Sequence, residues 1–234
     1  MKADFSRMNW GSTLENLNTS GASLCSDIFD PTTCEELISL YKDQDLFRKT
    51  VIMERYRFGI GEYKYFRDPE PEFIRSIKDL LYPKLFPLAN RWMENLGKDL
   101  RFPDRLEQLE QICKEKGQTL PTSLLLKYGT GGFNTLHQDL YGEIYFPMQA
   151  AFFLNRPEKD YTGGEFVLTL SRPRAQSKPL VFRPKMGDMI LFTTDFLPVK
   201  GSKGYYSSQV KHGVSEVLSG ERHTLGIIFH YAVS

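Results

Sequence analysis

Cysteine and histidine are both scarce in this chain. Its three cysteines, Cys25, Cys34 and Cys113, are an odd number without metal-type spacing. That excludes a disulfide scaffold and a cysteine-based zinc site, and points to a reduced, intracellular protein. Only four histidines, His137, His212, His223 and His230, are available for imidazole chemistry. Long apolar runs are missing: no stretch approaches the roughly 18 residues of a membrane span. The opening MKADFSRMNWGSTLENLN lacks the apolar run of a secretory signal. A soluble, cytoplasmic protein with no membrane partner is therefore expected. Net charge is nearly absent too, 30 Lys+Arg against 29 Asp+Glu for a formal +1, which excludes coating of nucleic acid by bulk attraction.

Aromatic and apolar material is plentiful. The 17 Phe and 12 Tyr, within a 41% hydrophobic composition, supply a large core for 234 residues. Residues 1–24 are polar and carry no strong element signal. Asp30-Pro31 predicts a helix start, with Asp as N-cap and Pro at the first position; the helix would bury Cys34, Leu37, Ile38 and Tyr41. Val51–Arg57 and Gly61–Phe66 read as two short strands joined near Gly59. Between 71 and 96, Phe73, Ile74, Ile77, Leu80, Leu81, Leu85, Leu88 and Trp92 recur at helical spacing, and Pro83 and Pro87 are expected to kink or divide that helix. A further helix covers about 103–116 and ends at Gly117.

After Pro121 the texture changes. LLLKYG, MQAAFFLN, EFVLTL, PLVF, DMILFTT, VKHGVSEVL and RHTLGIIFHYAV alternate with Gly, Pro, Asn and Asp turns. That pattern predicts an all-β barrel or sandwich rather than alternating βαβ units. The expected organisation is a single catalytic domain over 1–234, with 1–120 as mainly helical support and 121–234 as the β core.

His137-Gln138-Asp139 sets an imidazole and a carboxylate two residues apart, on one side of an extended strand. His212 opens a later strand, and Arg222 follows ten residues on, at the start of the returning strand. Two His and one carboxylate form a facial triad suited to non-haem Fe(II), with coordination positions left open. A guanidinium such as Arg222 holds a carboxylate bidentately. Strand alternation puts Arg222, Thr224, Gly226, Ile228 and His230 on one face, and His223, Leu225, Ile227 and Phe229 on the other. Arg222 and Thr224 are thus placed to meet one ligand carboxylate. His223, under the N-terminal helices, and His230, about 26 Å along the strand, read as structural. Gly163-Gly164 and Gly187 read as turns, and Asp188 as a turn residue.

KYGTGGFNTLHQD, TGGEF, RPKMGDMILF and HGVSEVLSGERHTLGIIFH occur in the order found in prolyl-4-hydroxylase-like 2-oxoglutarate/Fe(II) dioxygenases. The resemblance covers roughly 122–230. Within that superfamily, the run HQDLYGEIYFPMQAAFFLNRPEKDYTGGEFVLTLSRPRAQSK resembles a bacterial-type group described as oxygenases acting in oxidative demethylation of damaged DNA. The resemblance implies a mainly β fold with helices, whose core is a double-stranded β-helix, or jelly roll. It implies Fe(II) held by His137, Asp139 and His212, with 2-oxoglutarate as cosubstrate and O2 as co-reactant. Arg222 matches the residue that pairs with the 5-carboxylate of 2-oxoglutarate, Thr224 its supporting hydroxyl, and Tyr128 a tyrosine that commonly contacts the cosubstrate. Prolyl hydroxylases often place a further Tyr on the strand read here as Phe152-Phe153-Leu154. Phe153 cannot donate, and Gln149, of the same strand parity, is the candidate replacement.

The reaction implied is decarboxylation of 2-oxoglutarate to succinate, coupled to hydroxylation or oxidative demethylation. For the primary substrate, residues 171–211 hold eight basic groups against two acidic ones, a net of +6 that leaves −5 for the remainder. Tyr141, Arg172, Arg174, Tyr205 and Tyr206 are the candidate substrate contacts, since basic groups with aromatic surfaces suit a phosphate backbone and a stacked base. Damaged nucleic acid competes with a small metabolite or a peptide side chain. A non-catalytic ligand-sensing jelly roll and a zinc hydrolase are the readings from other classes. No obligate protein partner is indicated.

Overall fold

The computed structural model describes residues 1–171 and 174–233. Four helices, α1 (Trp10–Ser20), α2 (Pro31–Leu40), α3 (Glu72–Asn95) and α4 (Leu106–Glu115), lie in the first half. Around them run β1 (Ala22–Cys25), β2 (Phe47–Ile52), β3 (Gly59–Ile60), β4 (Glu62–Phe66) and β5 (Gln118–Leu120). The second half supplies β6 (Leu124–Tyr128), β7 (Phe133–His137), β8 (Met148–Phe153), β9 (Tyr161–Gly163), β10 (Phe166–Leu170) and β11 (Lys178–Phe182). It continues with β12 (Met189–Thr193), β13 (Phe196–Gly201), β14 (Gly204–Val214), β15 (Val217–Gly220), β16 (Arg222–Ile228) and β17 (Ala232–Val233).

Two antiparallel sheets carry the core. The major sheet runs β1-β12-β8-β16-β6-β4-β2 and the minor sheet β11-β10-β14-β7-β3, with β13 paired to β14. This is the jelly roll expected of the C-terminal half, but β1, β2 and β4 of the N-terminal half extend its major sheet. No described helix is long and apolar enough to cross a membrane.

Local chemistry explains most of the elements. Asp30 caps α2, its Oδ1 accepting from the Thr33 backbone N–H at 2.7 Å, and Pro31 occupies the first turn. Asn9 caps α1 the same way and Gly21 ends it in the left-handed region. This helix in the polar N-terminal stretch was not expected from apolar periodicity. Pro83 and Pro87 do not divide α3. Both lie on its exposed side, four residues apart, so the carbonyls they free face water. The opposite side buries Ile77, Leu81, Leu85 and Trp92, and the Trp92 indole N–H donates to Asn18 Oδ1 at 2.8 Å, tying α3 to α1.

The early hairpin differs from expectation. Its first strand is Phe47–Ile52 rather than Val51–Arg57, because Met53–Tyr56 form a short 3₁₀ turn and Arg57 takes φ of 61°. The loop then lends β3 to the minor sheet, pairing Gly59 with Asn134 and Ile60 with Phe133, before β4 rejoins β2 in the major sheet. One connection thus bridges both sheets. The strand expected to begin at His212 in fact ends near it, since β14 spans Gly204–Val214 and breaks before β15.

On β16 the alternation has two environments. Phe229, just beyond it, packs against Tyr82 of α3 with ring centroids 6.0 Å apart, and His223 meets Tyr41 at the end of α2 edge-on at 5.6 Å. The His223 backbone N–H donates to Asn155 Oδ1 at 2.6 Å. Burial pushes the His223 pKa down to about 4, the Glu221 charge only partly opposing it, and burial lowers His230 to about 4 as well. A folded-state pKa below the unfolded value of about 6.5 means stability is fully present above pH 6.5 and is lost as pH falls towards 4. Unfolding free energies from chemical denaturation should therefore drop between pH 7.5 and 5, by about 2 kcal/mol per histidine, and the midpoints with them. His223→Gln should remove about half of that slope, whereas equal midpoints for the wild type at the two pH values would refute the account.

Candidate active site

His137 closes β7 and is the register partner of His212 on β14, so pairing alone sets the two imidazoles opposite each other. Their ring centroids are 4.2 Å apart. Gly213 permits this approach: a Cβ there would lie 2.7 Å from Asn134 O. Asp139 is past the end of β7, so strand alternation does not place it. Gln138 does. Its side-chain N–H₂ donates to Asp195 O at 2.9 Å and Val210 O at 3.0 Å, clipping the segment to the backbone two residues before His212.

Asp139 Oδ2 then sits 3.2 Å from His212 Nε2 and Oδ1 3.6 Å from His137 Nε2. His137 Nδ1 lies 2.8 Å from Thr135 O, which fixes this nitrogen as the N–H donor and leaves Nε2 as the free base. His212 is wedged against Phe192 and Phe166. Burial opposes ionisation of Asp139, but the imidazoles of His212 and His137 outweigh it and hold the carboxyl well below its ordinary value. Burial also works against charge on His137, but the hydrogen bond and charge of Asp139, with the neighbouring backbone carbonyls, together outweigh it and raise the pKa. In His212 burial prevails, reinforced by His137, and the pKa falls.

The three side chains bring one ligand atom each within 4.8 Å of one another. Two imidazole nitrogens and one carboxylate oxygen are the donor set of a non-haem Fe(II) centre, and the residues fit such an ion. Tyr141 strengthens the fit. Its phenol donates to Asp139 Oδ1 at 2.8 Å and accepts from Tyr65 at 3.2 Å. Burial and the Asp139 charge push the Tyr141 pKa well up, so it remains a donor. Oδ1 is thereby occupied and Oδ2 left for a ligand.

These groups open on a cavity of about 190 Å³ between the sheets, lined by Leu126 and Tyr128 of β6, Gln149 of β8, and Arg222, Thr224, Gly226 and Ile228 of β16. The four β16 residues are the face that strand alternation assigns to one side. Arg222 is buried, and its Nη1 donates to the neutral hydroxyl of Thr224 at 2.8 Å. The guanidinium lies 5.2 Å from the Phe153 ring centroid and 5.5 Å from that of Tyr128. Phe153 thus supports the cation with its ring where a tyrosine would donate a hydrogen bond, and the phenol of Tyr161 lies beside the same guanidinium. Gly164, with φ of 63°, makes room: a Cβ would stand 2.9 Å from Arg222 Cδ. Arg222 Nε and Gln149 Nε2 are buried without partners. Buried N–H groups of a guanidinium and an amide left without acceptors are costly, and both residues line the same cavity.

The other candidates divide between the cavity and the surface. Tyr128, Gln149 and Tyr141 line the cavity. Tyr205 and Tyr206 sit where β13 turns into β14, opposite Lys200 and Val199, about 20 Å or more from His212 along an extended strand. Arg174 is exposed in the connection between β10 and β11. Arg172 lies outside the described residues. Asp188 is a turn residue, its carboxylate accepting from the backbone N–H groups of Lys185 and Asp27. Sequence reasoning missed Gln138 and Tyr161. Gln138 carried a signal, standing between the two presumed ligands with the opposite strand parity; Tyr161 carried none.

Residues 61–232 match the family Oxygenase-NA, described as "Oxygenase, catalysing oxidative methylation of damaged DNA". The chain belongs to this family. Two relatives of this Oxygenase-NA chain, the uncharacterized proteins MT2286 and Rv2227 of Mycobacterium tuberculosis strains, are each 47% identical over 181 residues, covering 75% of this chain and 78% of theirs. Its fold resembles that of a Pseudomonas putida prolyl-4-hydroxylase, with a TM-score of 0.59, 15% identity, and coverage of 95% of this chain and 98% of that one. A 2-oxoglutarate-Fe(II) oxygenase family oxidoreductase from Burkholderia pseudomallei gives a TM-score of 0.55 at 14% identity, covering 100% and 97%. The jelly roll of this Oxygenase-NA protein is thus that of the 2-oxoglutarate/Fe(II) oxygenases.

Removing the phenol that holds Asp139 tests the site directly. Tyr141→Phe should weaken metal binding about tenfold or more, read by cobalt(II) titration in the visible spectrum. An unchanged affinity would remove Tyr141 from the metal site.

Proposed function

We propose that this oxygenase is an Fe(II)- and 2-oxoglutarate-dependent dioxygenase that oxidises an alkylated base in damaged nucleic acid. The observation that carries the reaction class is Arg222, a buried guanidinium with an unpartnered Nε, facing the same cavity as His137, Asp139 and His212. A dicarboxylate cosubstrate satisfies both ends of that cavity. Its distal carboxylate meets Arg222 and Thr224, and Gln149 Nε2 supplies a further donor to its oxygens. When bound, Fe(II) activates O2 so that 2-oxoglutarate is decarboxylated to succinate and carbon dioxide while one oxygen atom enters a substrate C–H bond.

The chain's own residues hold and exclude. His137 and His212 present neutral nitrogens, Asp139 one carboxylate oxygen, and Tyr128, Phe192 and Leu126 wall the cosubstrate from water. Applied to an N-methylated base, the oxygen atom converts N–CH3 to N–CH2OH, whose C–N bond then breaks to release formaldehyde and restore N–H, so the reaction is oxidative demethylation. The family description supports the nucleic-acid substrate, as does the basic segment 171–211. Residues 1–234 act as one catalytic domain, 1–120 supporting the core at 121–234. Three buried free thiols, Cys25, Cys34 and Cys113, suit a reducing cytoplasm.

Succinate release is the test. Alkylated oligonucleotides should stimulate it, and metabolite or peptide pools should not. Stimulation by a metabolite or peptide alone would replace the substrate and keep the reaction. His137→Ala and His212→Ala should abolish turnover. Arg222→Gln should weaken 2-oxoglutarate binding by about 100-fold or more, with cobalt(II) affinity retained. Turnover that persists in a chelator, or survives these changes, would overturn the reading.

A further inference from the structure

The connection between β2 and β4 carries surface features that the dioxygenase chemistry does not use. It reads Met53-Glu54-Arg55-Tyr56-Arg57-Phe58-Gly59-Ile60-Gly61, aromatic and guanidinium side chains in strict alternation. Met53 is buried and lines the cavity. Phe58 lines the cavity too, yet is 44% exposed, which places it at the mouth. Tyr56 is 51% exposed and stacks on Phe58, with centroids 5.5 Å apart and planes 18° from parallel. Arg55 and Arg57 are exposed beside them.

This loop is held in place by its backbone. Phe58 O accepts from both the N–H and the hydroxyl of Thr135 on β7, at 2.9 and 3.0 Å. Phe58 N–H donates to Met53 O at 3.1 Å, and Met53 N–H to Gly61 O at 2.9 Å. Gly59 admits β7 because a Cβ there would collide with Phe133 O. Two large aromatic faces are therefore kept exposed on a preorganised turn, against the usual burial of such rings, and a partner stacking on them loses little loop entropy.

We infer that Tyr56 and Phe58, with Arg55 and Arg57, form the platform that receives a single strand of nucleic acid at the mouth of the active site. This rests on the nucleic-acid reading above and says how the strand is held. A base next to the reacting one stacks on the aromatic pair, and its phosphates meet the two guanidiniums. The occupant follows from chemistry: flat rings suit a base face, and alternating cations suit a polyanion with a charge at each unit. A free metabolite enclosed within the cavity needs no surface outside it. The strand must be single or locally unstacked, because the reacting base has to leave its neighbours to reach the metal site.

Fluorescence anisotropy with 5′-labelled dT12, alone and as a duplex with dA12, tests this. The wild type should bind the single strand more tightly than the duplex. Tyr56→Ala/Phe58→Ala should weaken single-strand binding about tenfold or more, and Tyr56→Trp should retain it. Arg55→Gln/Arg57→Gln should weaken binding and flatten the slope of log affinity on log salt by about 1 to 1.4. Thermal melts confirm that each variant is folded. If the wild type binds dT12 and the folded aromatic variant binds equally well, the platform is wrong while the nucleic-acid reading stands. If the wild type binds 2-oxoglutarate but neither oligonucleotide, platform and substrate reading both fall and the dioxygenase reading survives.

Discussion

The pleat of β16 divides this molecule's chemistry from its stability. Successive side chains of one strand enter two different interiors: Arg222 and Thr224 the cavity, His223 and Leu225 a core sealed by helices. Neither set can move without the other, because a one-residue slip would put His223 or Glu221 where the cation stands. The strand lies between β6 and β8 and is paired on both sides, so its register is doubly determined. The cosubstrate end of the site inherits that precision.

The metal end is built on a different plan. His137 and His212 come from β7 and β14 of the minor sheet, whereas Arg222 and Gln149 come from the major one. The cavity is the gap between two sheets of opposite chemistry, one presenting two imidazoles and the other a guanidinium. The halves are joined by apolar packing, Phe166 of β10 against Phe192 of β12 and Phe153 of β8, and locally by the hydrogen bonds of Gln138 and the loop that passes β3 across from β2 to β4.

Much of this was legible in the residues. The β-rich half announced itself through turn residues and β-branched runs, and the parity of Arg222 against His223 followed from period two alone. The order of motifs carried the family. Less legible were features set by distant partners. The α1 helix depends on the Asn9 cap and on packing, since its apolar face is weak. Pro83 and Pro87 sit inside a helix because solvent accepts the carbonyls they free, which no local rule can state. Asp139 owes its place to Gln138 reaching the carbonyls of Asp195 and Val210, 57 and 72 residues later. Tyr141, read as a candidate substrate contact, is instead hydrogen-bonded to Asp139 and Tyr65. Tyr205 and Tyr206 shared the right composition with the wrong address.

The position of β16 has a consequence for how the molecule is made. It follows β6 by nearly a hundred residues and β8 by about seventy, yet it is inserted between them. Until it docks, β6 and β8 each present an unpaired edge with buried apolar residues behind it, the condition under which strands recruit other chains. The same docking delivers Arg222. A chain that stalls before this step is therefore both sticky and without its buried guanidinium, so on the proposed role of Arg222 the cosubstrate is retained only in molecules whose central ladder is closed.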